Sequence, residues 1–284
     1  MSSGELNVVD HDRDSAGLTY VYPVVSRRAG GVSVGVNLNI NNACNWRCVY
    51  CQVPNLQLGA APAVDLMLLD KELRSFLHEL LHGDFMQTRV PEGARRINDI
   101  ALSGNGEPTS AKEFEQVVAL IGQVMKDLAL LEDIKLVLIT NGSLMHRSNV
   151  QMALSKMAEN RGEVWFKLDR ASELGMQTIN TTKRTLGNVR TDLMTCIALC
   201  PTWLQTCWFE LDGTPPSIQD EDDYLNFLAE LLLNKLRPQG VLLYSLARPS
   251  LQIEAPRLGS LSSLQLESFA ERIRALDITV KVSP

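Results

Sequence analysis

Three of the six cysteines in this 284-residue chain, Cys44, Cys48 and Cys51, fall within eight residues. Thiolates are the usual protein ligands of iron-sulfur clusters. Three of them in so short a stretch can grip three irons of a [4Fe-4S] cube and leave the fourth iron open to a ligand. A structural zinc site asks for four ligands, usually in two separated pairs, and no fourth Cys or His stands at comparable spacing. The blander account is three small hydrophobes packed together, which would require them to cluster by chance in a polar loop.

Other stretches carry chemistry of their own. In Ser103-Gly104-Asn105-Gly106-Glu107-Pro108-Thr109 the glycines let backbone approach a ligand, and Glu107 offers an acceptor to an ammonium group. Thr140-Asn141-Gly142-Ser143 is a polar turn. Lys167 and Asp169 place charge at the end of the apolar run Val164 to Leu168, where an unpaired charge is costly, so they face a ligand or each other. Cys196 and Cys200 share a helix face at i, i+4, but Cys207 sits beside Trp208 and Phe209, and this trio reads as core rather than as a second cluster. His78-Glu79-Leu80-Leu81-His82 fits the HExxH pattern of zinc peptidases. It closes a helix just before Gly83, and the remaining histidines, His11 and His146, supply no convincing third ligand. It reads as a solvated helix end.

The elements that must position these residues alternate. Strands are predicted at Val32 to Ile40, Ile97 to Leu102, Ile134 to Thr140, Val164 to Leu168, Leu204 to Leu211, Val241 to Leu246 and Ile278 to Val282. Helices are predicted at Asp70 to His82, Ser110 to Leu130 with a Ser110/Glu113 capping box, Glu221 to Leu236, and Ser262 to Leu276 with Ser262 and Gln265 at capping-box spacing. About six such alternations without a composition break predict an α/β fold with one parallel sheet, curled as a partial (β/α)6-type barrel. Residues 31–284 form a single domain in this reading, after an irregular extension over 1–30. In such sheets chemistry gathers beyond the carboxyl ends of the strands, where the cysteines and the polar turns fall.

Composition narrows the partners. The chain is 45% hydrophobic and 21% charged with a formal net charge of -6, which disfavours a nucleic-acid partner despite local pairs such as Arg27-Arg28 and Arg95-Arg96. The first thirty residues hold no apolar run suited to a signal peptide or membrane span, so no membrane association and a cytoplasmic location are expected. A reducing compartment shifts the cysteines from disulfides toward metal binding or burial.

The CxxxCxxC spacing, with Tyr50 just before its last cysteine, resembles the signature of the radical S-adenosylmethionine (radical SAM) superfamily, and Gly104 to Glu107 resembles that family's GGE-type motif. The resemblance implies a [4Fe-4S] cluster on Cys44, Cys48 and Cys51, and S-adenosylmethionine chelated at its open iron. It implies reductive cleavage to a 5'-deoxyadenosyl radical that abstracts hydrogen from a substrate. It further implies Tyr50 against the adenine, Gly104, Asn105, Gly106 and Glu107 at the amino group, and Thr140, Asn141 and Ser143 at the ribose; Lys167 and Asp169, read from their charge at the strand end, are the candidate catalytic residues. An external one-electron donor of flavodoxin or ferredoxin type is implied as well. Lys167-Leu168-Asp169 and the segments Leu204 to Leu211, Val241 to Pro249 and Val280 to Pro284 resemble the wyosine-synthase-like, tRNA-modifying branch. Those relatives carry a second cluster on cysteines ahead of the motif, whereas none precedes Cys44 here. The expected substrate is a small molecule or peptide, with a tRNA base or a glycyl radical enzyme as alternatives.

Overall fold

The computed structural model describes Leu6, residues 17–26 and residues 30–283. His11, the Arg27-Arg28 pair and Pro284 lie outside the described residues, as does most of the stretch read as an irregular extension. In chain order the elements are β1 (Val21–Ser26), β2 (Gly31–Val36), β3 (Ala43–Cys44), β4 (Gln57–Leu58), α1 (Leu66–His82), α2 (Phe85–Arg89), β5 (Ile97–Leu102), α3 (Phe114–Asp127), β6 (Lys135–Thr140), α4 (Ser148–Glu159), β7 (Glu163–Lys167), α5 (Glu173–Asn180), α6 (Leu186–Leu199), β8 (Thr202–Cys207), β9 (Phe209–Leu211), α7 (Ile218–Leu233), β10 (Gly240–Tyr244), β11 (Leu258–Ser260), α8 (Ser263–Arg274) and β12 (Val280–Ser283). They divide into two compact units, one of Met1–Asn45, Gly59–Ile139 and Arg147–Glu163, the other of Trp46–Leu58, Thr140–His146 and Val164–Pro284.

In the first unit the strand order is β1-β2-β5-β6; β1 runs antiparallel to β2, and β2, β5 and β6 are mutually parallel. Every residue of β2 is buried, as its apolar run Gly-Val-Ser-Val-Gly-Val requires of a strand covered on both faces. β1 lies within the stretch read as irregular. Its Pro23 fits the edge position it occupies. The carboxylate of the buried Glu72 in α1 anchors its approach by accepting from Thr19 N and Tyr20 N, both at 2.8 Å. α1 starts earlier than predicted because Asp65 caps it, accepting from Met67 N and Leu68 N at 3.0 Å. α3 starts later, since the Ser110/Glu113 capping box does not form. Ser110 instead donates to Glu107 O at 2.7 Å from a 3₁₀ turn, and Glu113 accepts from Val64 N.

In the second unit β7, β8, β10 and β12 are parallel in that order. The predicted run Leu204 to Leu211 breaks at Trp208, whose N–H donates to Tyr244 O, so β8 and β9 are separate and β9 pairs with β11. Trp208 stacks on Phe269 at 3.8 Å between centroids and Tyr224 meets both edge-on, an aromatic core in which each buried ring contributes about 1.5–3 kcal/mol. α7 begins at a Ser217/Asp220 capping box that the sequence reading passed over, and α8 begins at the predicted Ser262/Gln265 box. No described helix is long and apolar enough to cross a membrane.

Candidate functional site

Each unit places part of the predicted chemistry beyond the carboxyl ends of its strands. In the first unit β2 gives way to Asn37-Leu38-Asn39. Asn37 Oδ1 accepts from Asn39 N at 3.1 Å and from Asn105 N at 3.0 Å, tying the end of β2 to the glycine turn after β5. Asn39 Nδ2 donates to Ala43 O at 2.8 Å, and Cys44 O accepts from Gly59 N at 2.9 Å, which fixes the backbone entering the cysteine loop. Gly104 has a φ of 142°, and a Cβ there would collide with Asn37. A Cβ on Gly106 would collide with the Ala43 carbonyl oxygen, so this turn lies flush against the residue before Cys44. Glu107 is buried; its Oε1 accepts from Thr109 Oγ1 at 2.6 Å and from Thr109 N at 3.2 Å. Asn105 donates to Asn42 Oδ1 at 2.6 Å, while its own Oδ1 is buried without a hydrogen-bond partner.

In the second unit the loop carrying Cys48 and Cys51 is pinned along its length. Val49 O accepts from Ser250 Oγ at 2.7 Å, Cys51 O from Leu251 N at 2.9 Å, and Val53 O from Gln252 Nε2 at 3.1 Å. Arg47 forms a two-pronged ion pair with Glu254 at 2.9 and 2.7 Å, so hydrogen bonding and charge raise the Arg47 pKa and lower that of Glu254. These anchors carry no motif and were invisible to sequence reasoning.

Lys167, Tyr50, Asp169 and Asn180 form one chain of hydrogen bonds. Lys167 Nζ donates to Tyr50 Oη at 2.7 Å, and Tyr50 Oη donates to Asp169 Oδ2 at 2.6 Å. Asn180 Nδ2 donates to Asp169 Oδ2 at 2.7 Å and to Cys48 Sγ at 3.3 Å, and Cys207 N donates to Asp169 Oδ1 at 2.9 Å. Burial alone would lower the Lys167 pKa, but the Asp169 charge prevails and holds it well above its ordinary value. Burial, then Asp169, pushes the Tyr50 hydroxyl well above its ordinary value, and burial pushes the Cys48 thiol up to about 11. The Asp169 charge thus favours the ammonium form of Lys167. The Tyr50 ring meets Phe209 edge-on at 5.3 Å, with Lys167 Nζ 4.9 Å from its centroid.

The turn after β6 closes on itself. Gly142 N donates to Thr140 Oγ1 at 3.0 Å, while Asn141 Oδ1 accepts from Ser143 N at 3.0 Å and Ser143 Oγ at 2.7 Å, all three side chains being buried. Gly142, at φ 72°, passes so close to Phe166 that no Cβ fits. Nearby in the same unit, Gln205 of β8 faces the same way as Lys167 in the ladder and keeps a buried, unpartnered Oε1.

The six cysteines sort by exposure. Cys44, Cys48 and Cys51 are partly exposed, whereas Cys196, Cys200 and Cys207 are buried. Cys207 packs with Val49, Ile179 and Phe209, and burial followed by the Asp169 charge raises its pKa far beyond the ordinary thiol range. His78 and His82 lie exposed, ring to ring at 4.9 Å, and Glu79 turns to accept from Asp84 N at the helix end. Among the described residues no three His, Cys, Asp or Glu side chains converge on a point that would hold a single metal ion. A cube asks for a different arrangement, since each of its irons takes its own thiolate. In the first unit Cys44 and the unpartnered Asn105 oxygen, and in the second unit Cys48 and Cys51, are donor types that such a cluster with a polar ligand would use.

No protein-family model matches the chain. The chain is similar to part of a GTPase Obg from Brachyspira hyodysenteriae, 26% identical over 132 residues, 46% of this chain and 17% of that protein. It is also similar to a UPF0026 protein of Helicobacter pylori strain J99, 24% identical over 251 residues, 88% of this chain and 72% of the relative. The match to the UPF0026 protein of strain 26695 covers 38% of that protein, so two of these three relatives are matched over well under half their length. Among solved structures, Streptococcus suis SuiB bound to S-adenosylmethionine matches with TM-score 0.55 and 12% identity, over 90% of this chain and 50% of SuiB. A radical SAM methyltransferase from Sphaerobacter thermophilus matches with TM-score 0.58 and 13% identity, over 89% of this chain and 66% of that one. At these identities the likeness shows the fold: an α/β partial barrel of the radical SAM type, as the sequence predicts.

Proposed function

We propose that this protein is a radical SAM enzyme in which Cys44, Cys48 and Cys51 hold a [4Fe-4S] cluster. The observation that carries the reading is the sorting of the cysteines: the three in CxxxCxxC spacing are the partly exposed ones, and the rest are core. When bound, the cluster supplies the electron that cleaves S-adenosylmethionine to a 5'-deoxyadenosyl radical, which abstracts hydrogen from the substrate. The protein's own residues bind and orient. Asn105 and the Gly104–Glu107 backbone take the polar end of the cofactor, the 140–143 turn serves its ribose, and Tyr50 braces the cysteine loop. Lys167 presents a fixed positive charge, which suits a small-molecule or peptide substrate bearing a carboxylate or carbonyl. A precursor peptide, SuiA, has been solved bound to SuiB on this fold. We assign the electron supply to an external donor of flavodoxin or ferredoxin type.

The test is anaerobic reconstitution with iron and sulfide, followed by reduction with S-adenosylmethionine and chromatography for 5'-deoxyadenosine. The nucleoside is expected from the parent chain and is expected to vanish in Cys44→Ala, Cys48→Ala or Cys51→Ala. Parent protein that takes up zinc but no iron and sulfide would overturn the reading.

A further inference from the structure

We infer that Asn180 is a positioning residue that sets the reduction potential of the cluster by hydrogen bonding to the Cys48 sulfur, an inference that rests on the proposed cluster. Asn180 is the last residue of α5 and is 1% exposed. Its Nδ2 lies between two acceptors, Cys48 Sγ at 3.3 Å and Asp169 Oδ2 at 2.7 Å. Both neighbours demand donors, which fixes the amide: turned over, its oxygen would face a carboxylate and a thiolate.

Three consecutive residues hold the amide in place. Ile179 O accepts from Val49 N at 2.9 Å, Asn180 meets Cys48, and Thr181 Oγ1 donates to Arg47 O at 2.8 Å. Thr181 adopts φ 52°, a left-handed conformation that β-branched residues avoid and that here ends the helix against the loop. The amide thus meets the sulfur by construction, not as the free end of a flexible side chain.

Thiolate ligands carry more negative charge after a cluster takes up one electron, so an N–H pointing at the sulfur stabilises the reduced state more than the oxidised one. Hydrogen bonds to the sulfurs are among the factors that set cluster potentials. Removing this donor makes reduction harder. The expected effect is a loss of up to about tenfold in the one-electron reduction equilibrium, about 59 mV toward negative potential.

The experiment compares reconstituted parent, Asn180→Leu and Thr181→Ala in anaerobic redox titrations followed by EPR of the reduced cluster. Thr181→Ala removes the neighbouring rung without touching the sulfur. A negative shift in Asn180→Leu alone supports the inference. No shift, or equal shifts in both variants, overturns it, the latter because it would report loosening of the loop. If Asn180→Leu does not fold, pulsed EPR of parent protein carrying side-chain ¹⁵N-asparagine decides: a nitrogen coupling to the reduced cluster supports the contact and its absence refutes it. Parent protein without iron and sulfide would bring down the functional reading itself, before any variant is compared.

Discussion

Replacing Asp169 by Asn tests the polar chain at its centre. The carboxylate is 1% exposed and accepts from Tyr50 Oη, Asn180 Nδ2 and Cys207 N. An asparagine can be placed two ways. With its NH2 toward Asn180, two donors face each other; with its NH2 toward Cys207, the same conflict arises against the backbone N–H. Either way a buried donor loses its acceptor, at about 1–3 kcal/mol. Lys167 also loses the nearby negative charge that raises its pKa, although the two groups meet only through Tyr50. The expected loss is therefore about 1–3 kcal/mol, which lowers the melting temperature by roughly 5 °C in a chain of this size. The assay is urea unfolding of the metal-free protein under reducing, anaerobic conditions, with Lys167→Met and the double variant run alongside. Because the two charges share one network, the double variant is expected to be more stable than the sum of the singles predicts by about 1 kcal/mol or more. A single-variant loss under about 1 kcal/mol, or strict additivity, would refute the coupling.

Two further perturbations probe the cradle and the core. Gly106→Ala forces its Cβ into the Ala43 carbonyl, so backbone must move; a loss of about 1–3 kcal/mol is expected together with reduced iron uptake on reconstitution, and full uptake would show that the close approach does not hold the cysteine loop. Cys207 stays a thiol in the folded state well above its ordinary pKa of 9.0, whereas the unfolded chain ionises near that value. The folded state then binds more protons, and its stability is fully present below about pH 9 and falls as pH rises beyond it. Cys207→Ala is expected to flatten that fall by up to about 1.36 kcal/mol per pH unit, measured by urea unfolding between pH 8 and 10. Identical slopes for parent and variant would contradict the burial argument.

The sequence made the cysteine motif, the glycine turn and the strand-helix alternation legible because each depends on residues close together in the chain. Strand ends were blurred where a side chain, rather than a turn residue, stops the ladder: Asn37 ends β2, and Trp208 separates β8 from β9. β1 escaped because Val-Tyr-Pro-Val-Val-Ser has no clean alternation, and its placement relies on Glu72, some fifty residues onward. Asp65 and Ser217 were readable as helix caps and show how a stronger downstream pattern draws the eye past the true start. Asn180, Ser250 and Gln252 were not readable, since what makes them functional candidates is their meeting with a loop more than a hundred residues away.

Tyr50 shows how geometry changes the meaning of a motif residue. By resemblance an aromatic before the last cysteine lies against adenine, and a phenylalanine would do that equally well. Here the hydroxyl accepts from Lys167 and donates to Asp169, and the ring is fixed between Phe209 and the Lys167 ammonium. Without that oxygen the Lys167 ammonium and the buried Asp169 would each lose a partner, so the residue acts as a strut between strand ends and cysteine loop whatever its ring also touches. The same chain reaches Cys48 through Asn180, which puts a charged strand end and a proposed iron ligand in one hydrogen-bonded unit. Three side chains, Tyr50, Asp169 and Asn180, thus link Lys167 to the Cys48 sulfur.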